Sequence, residues 1–70
     1  MDPTTTFETM IDETLDIDER VEAAENLRSW LDKGGFLPRR LPVNIDERRT
    51  RGRFYVDRRI TETLRLGVSA

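Results

Sequence analysis

Apolar side chains recur at helical intervals through the first half of the chain. Phe7, Met10, Ile11 and Leu15 lie at i, i+3, i+4 and i+8, with Glu8, Asp12, Glu13 and Asp16 largely off that stripe. The spacing predicts an amphipathic helix with an acidic outer face. Asp2 followed by Pro3 offers a cap with proline at the first helical position, and Thr5-x-x-Glu8 is an alternative capping box three residues later. A second stripe follows in Ile17, Val21, Ala24, Leu27 and Leu31, with Trp30 on its flank. Asp16-x-x-Glu19 or Asp18 would cap this second helix, Lys33 suits its negative end, and Gly34 is placed to stop it. No Gly or Pro separates the stripes, so one helix over residues 4–33, roughly 45 Å at 1.5 Å per residue, is the alternative. Two helices broken at the Asp-rich stretch 16–18 are favoured, because Asp is a poor interior residue and a good cap. A single long helix would also leave its stripe uncovered unless it dimerised.

The second half has a different pattern. Gly34-Gly35-Phe36-Leu37-Pro38 ends the helical part, and Phe36 and Leu37 are expected to fold back onto Trp30 or Leu31. These glycines do not form a phosphate cradle, since Pro38 turns the chain into extended structure where a phosphate loop would lead into a helix. Leu41, Val43 and Ile45 alternate as in a short strand or extended arm, which Pro42 restricts to an edge or a non-strand path. Asn44-x-x-Glu47 could cap a short helical turn through Arg51, ended by Gly52; alternatively a charged loop joins 41–45 to a strand at 53–56 in a loose hairpin. Asp57 is expected to cap a last helix carrying Ile60 and Leu64 on one face, with Gly67 as its stop. The fold class expected is mostly α: two N-terminal amphipathic helices, an extended or hairpin-like arm and a short C-terminal helix. Residues 1–35 form the acidic helical hairpin or long helix, and residues 36–70 the basic arm and short helix, packed as one domain.

Composition bounds what such a fold can do. Of 70 residues, 37% are charged, against roughly 25% in an ordinary soluble domain. Twenty-one large apolar residues beyond Met1 suffice for one thin core and leave little for a large catalytic cavity. A chain this short buries only about 60% of its unfolded surface, so a partner or self-association matters to its stability. There is no Cys, hence no disulfide framework or thiolate chemistry, and no His, which removes the commonest general base and zinc ligand. No apolar run approaches the roughly 20 residues needed to cross a bilayer, and the acidic start lacks a signal peptide's pattern, so no membrane association is expected. The expected location is cytoplasmic, or in a virion if the protein is phage-encoded. The net charge of −2 conceals a division: residues 1–35 carry ten acids and three bases, residues 36–70 four acids and nine bases. Such polarity speaks to partners rather than fold.

Catalytic and metal chemistry fit poorly. An EF-hand loop starting at Asp16 would have Arg20 at the fifth position and Val21 where Gly is required, and one starting at Asp12 would have Ile17 there. Ser29 and Ser69 have no His to activate them. Paired-carboxylate hydrolysis needs a cleft this core is too small to enclose. No enzyme activity, cofactor or small-molecule substrate is expected. The basic half is the better candidate: Arg39, Arg40, Arg48, Arg49, Arg51, Arg53, Arg58 and Arg59 fall within 21 residues, interleaved with Phe54 and Tyr55. Arginine pairs with phosphate while an aromatic ring stacks on a base, so the segment has the composition of a nucleic-acid surface. The acidic half opposes a phosphate backbone, and Phe54 and Val56 are expected in the core instead. A protein partner or self-association through the Arg-rich arm, with Tyr55 in the contact, is therefore the leading expectation. Nucleic-acid binding by the same arm is the runner-up, and mimicry of a phosphate backbone by the acidic helices a third reading.

The segment Leu27-x-x-Trp30-Leu31-x-x-Gly34-Gly35-Phe36-x-Pro38 resembles a helix-and-stop element of small, largely uncharacterised proteins of GC-rich actinobacteria and their phages. The resemblance covers about 12 residues and implies a phage-encoded or accessory protein, such as a small virion component. It implies no catalytic or binding residues.

Overall fold

The computed structural model describes residues 2–39 and 51–69. Three helices occur there, α1 (Pro3–Ile11), α2 (Ile17–Asp32) and α3 (Arg53–Ser69), with no strand among the described residues. The alternation at 41–45, the cap at Asn44 and the hairpin turn lie outside the described residues.

Helix α1 starts as the Asp-Pro pair dictates. The Asp2 carboxylate accepts from the Thr4 N–H at 2.9 Å and the Thr5 hydroxyl at 3.0 Å, and the Asp2 carbonyl accepts from the Thr6 hydroxyl at 3.0 Å. Pro3 is buried at the first helical position, where its missing N–H costs nothing. The helix ends earlier than its apolar stripe: Asp12 accepts from both the backbone N–H and the hydroxyl of Thr14, at 3.0 and 2.6 Å. This local turn competes with continued helix. Two helices are therefore present, and the break lies at residues 12–16 rather than 16–18. Asp16 occupies the cap position of α2 without a side-chain bond to the helix. The hairpin is tied across its turn by Arg20, whose Nε–H donates to the Met10 carbonyl at 3.0 Å and so satisfies a C-terminal carbonyl of α1.

Helix α2 ends as its glycines predict. Gly34 has φ of 87°, its N–H donates to the Leu31 carbonyl at 3.0 Å, and the Gly35 N–H donates to the Trp30 carbonyl at 2.9 Å. This pair of bonds is the Schellman closure. Phe36 then folds back as expected, its ring meeting Trp30 edge-on at 5.4 Å while its carbonyl accepts from the indole N–H at 2.9 Å. Leu37 packs against the core, and Pro38 is fully buried.

Three expectations for the C-terminal part are corrected. Residues 53–56 are helix, so no hairpin strand forms there; Asp57 lies inside α3 and caps nothing; and Gly67 continues the helix instead of stopping it. Residues 51–52 are π-helical and lead directly into α3, which at 17 residues is the longest of the three described helices and not a short one. The reason is that Val56, Ile60 and Thr63 share a face with Leu64, and all of this face finds cover on the hairpin. Helix α3 runs antiparallel to α2, with Arg53 at Leu31 and Asp32 and Gly67 against Val21. Gly67 permits that contact, since a Cβ there would meet Val21 Cγ2. The core comprises Phe7 and Met10 from α1, Ala23, Ala24, Leu27 and Leu31 from α2, and Val56 and Ile60 from α3. Buried Thr63 is satisfied by donating to the Arg59 carbonyl at 2.9 Å.

Candidate interaction surface

The arginines singled out from the sequence divide into different roles. Arg40, Arg48 and Arg49 lie outside the described residues. Arg39 sits beside the start of α1: its backbone N–H donates to the Thr4 hydroxyl at 3.1 Å, and its charge is one of the groups that lower the Asp2 carboxyl. Arg53 is drawn inward to the end of α2. Its Nη1 donates to the Leu31 carbonyl at 3.5 Å, Nη2 lies 3.6 Å from Asp32 Oδ1, and Nε is 3.1 Å from Asp57 Oδ2. Arg59 is partly withdrawn, with its Nε buried and without a hydrogen-bond partner among the described residues and its Nη1 3.9 Å from Glu62. Tyr55 also packs inward, its ring 6.2 Å from that of Phe7 at 53°.

Arg51 and Arg58 do face solvent. Arg58 pairs with Glu62 one turn on, at 3.3 Å, and its side chain is 80% exposed. Between them lies Phe54, also 80% exposed, which reverses the expectation that it belongs to the core. Val56, two residues later, is fully buried as expected. Helical periodicity explains the difference: Val56 and Ile60 are four apart on the inner face, whereas Phe54 is two residues, about 200°, removed from Val56.

Continuing α3 beyond Arg59 brings further residues onto the outer face. Thr61, Arg65 and Val68 share it with Phe54, and a shallow open depression runs along the helix from Phe54 to Arg65. A second depression joins Arg65 and Val68 to Arg28 of α2. Sequence reasoning missed Thr61, Arg65 and Val68 because placing a helix start at Asp57 divided this face in two. The signal was present in the sevenfold spacing of Phe54, Thr61 and Val68 and of Arg58 and Arg65. The opposite sign lies on α2, where Asp18, Glu22, Glu25 and Asp32 are all exposed.

Among the described residues, the acids with a perturbed carboxyl, Asp2 and Asp12, are structural. The Asp2 carboxyl is held below its ordinary value first by the Thr5 hydroxyl and then by the Thr4 N–H, and Asp12 likewise by the hydroxyl and N–H of Thr14. Among the described residues no group of three His, Cys, Asp or Glu side chains converges as a metal site, and no helix is long and apolar enough to cross a membrane. No family model matches the chain, and neither a curated protein nor a solved structure shows significant similarity to it.

Proposed function

We propose that this chain is a small, non-enzymatic protein-interaction module that binds through the outer face of α3, in an assembly or accessory role of the kind its helix-and-stop segment suggests. The observation that carries the reading is Phe54. A phenylalanine 80% exposed on a helix whose other face is fully used by the core, with Arg51 and Arg58 on either side, has the composition of an interface centre: an aromatic anchor among forked donors. Arg53 and Tyr55, by contrast, support the face from behind. The test is affinity purification from the native host with nuclease treatment, comparing the natural chain with F54E/R58E, both surface changes. A partner whose recovery falls by about tenfold or more with the variant supports the reading. Equal recovery of every protein with both baits removes it.

The exposure of Phe54 also favours a second reading, in which the ring stacks on an unpaired base while Arg51 and Arg58 hold phosphates. That reading predicts affinity falling steeply with salt, with the slope reduced by about one for each Arg→Ala change. A gel shift with single-stranded DNA and RNA discriminates, and absence of binding at low salt ends this second reading.

A further inference from the structure

On the outer face of α3, charged and apolar positions are evenly spaced about Thr61, with the sign of the charge reversed from one side to the other. Asp57 and Arg65 lie four residues to either side of it and Phe54 and Val68 seven to either side, so opposite charges and apolar side chains are placed symmetrically. Helical spacing puts all five on one stripe, about 21 Å from end to end. All are exposed: Phe54 and Val68 at 80% and 88%, the Asp57 side chain at 51%, and Thr61 and Arg65 in the same class.

We infer that α3 pairs antiparallel with α3 of a second copy about a two-fold axis at Thr61. The inference rests on the proposed role of this face and names its occupant. In that register Phe54 meets the second copy's Val68 at both ends, Asp57 meets its Arg65 twice, and the two small threonines meet at the centre, where they let the helix axes approach. Other arrangements lose this match. Parallel pairing sets Arg65 on Arg65 and Asp57 on Asp57, and a one-turn slip that brings Phe54 to Leu64 sets Arg65 against Arg53. Arg65 makes no ion pair among the described residues, so its guanidinium needs no rearrangement to reach a second copy. Asp57 accepts from Arg53 Nε at 3.1 Å and has lone pairs left for another donor. Arg58 and Glu62, on the flank, already neutralise each other within one chain. The contact is isologous, so it closes at two copies and makes no filament.

One helix pair of this length falls at the small end of specific interfaces, below about 1,200 Å² in total, the class of weak and transient association. Sedimentation equilibrium from about 10 μM to 1 mM is therefore the measurement. The natural chain is expected to move from 8.2 kDa to twice that mass as concentration rises. D57R alone and R65D alone each place like charges together at both ends and should weaken dimerisation by about tenfold or more. An equimolar mixture of the two single variants should restore it, since the D57R chain then carries two arginines against two aspartates on its partner. This rescue separates a lost contact from a lost fold. Because the chain has no cysteine, T61C introduces a single thiol, which should oxidise to a symmetric disulfide-linked dimer. A mass of 8.2 kDa at every concentration with no linking of T61C overturns the two-fold pairing, and so does a dimer indifferent to both charge reversals. Either outcome leaves the broader reading to its own test, in which F54E/R58E loses a different protein.

Discussion

Gly34 and Gly35 are adjacent and are required for unrelated reasons. Gly34 has open space around its α-carbon but a φ of 87°, so any side chain there costs backbone strain alone. Gly35 has no such strain. A Cβ at that position would run into the indole of Trp30, which the Phe36 carbonyl and ring hold in place. Gly34→Ala should therefore cost about 1 kcal/mol and leave the tryptophan environment unchanged. Gly35→Ala should cost more, about 1–3 kcal/mol, because a planar ring tied at both ends cannot move aside without losing its contacts. Urea unfolding followed by Trp30 fluorescence checks both: the native-state emission should shift for Gly35→Ala and not for Gly34→Ala. The reverse order of cost would show that the indole does not sit over Gly35.

At the scale of elements, the hairpin of α1 and α2 was largely legible, because its signals are local. The Asp2-Pro3 cap, the apolar stripes and the Gly34 stop each act within a few residues. The break between the helices was displaced because Asp12 uses Thr14 for its turn, a partnership that spacing alone does not reveal. The start of α3 was misplaced for a different reason. Residues 53–56 have β-branched and aromatic character, and packing of the Val56, Ile60 and Thr63 face against the hairpin favours helix over strand. The exposed stripe of α3 went unrecognised because its residues fell on both sides of that misplaced boundary. Both carboxylates that organise the hairpin ends are lowered from 3.8 by hydrogen bonds made only in the folded state. Groups of this kind contribute stability that is present above the unfolded value and is lost as pH falls through the folded one. Thermal midpoints should accordingly fall below about pH 4, and T5A/T14A should flatten that acid limb by removing the first-named donors to Asp2 and Asp12. An acid limb of unchanged steepness in T5A/T14A would assign the pH dependence to other carboxylates.

For the whole molecule, the separation of inner and outer residues on α3 is what joins stability to binding. A single thin core holds all three helices, and Leu27 lies at its centre, fully buried on α2, the helix that packs against both others. Its truncation removes contacts that no second core replaces, so Leu27→Ala should cost about 2–5 kcal/mol, a large part of the stability available to a chain of this size. Phe54 is the counterpart: larger and likewise apolar, but 80% exposed and absent from the core. Phe54→Ala should change the free energy of unfolding of the isolated chain by no more than about 0.5 kcal/mol. The contrast acquires a concentration dependence if α3 is a contact surface, because anything that binds the folded state raises its apparent stability by mass action. The natural chain should then gain thermal stability as its concentration rises from micromolar to millimolar, whereas Phe54→Ala should show the same midpoint throughout. Calorimetry at two concentrations separates the cases, and a midpoint independent of concentration in both chains would leave Phe54 without a role in self-association.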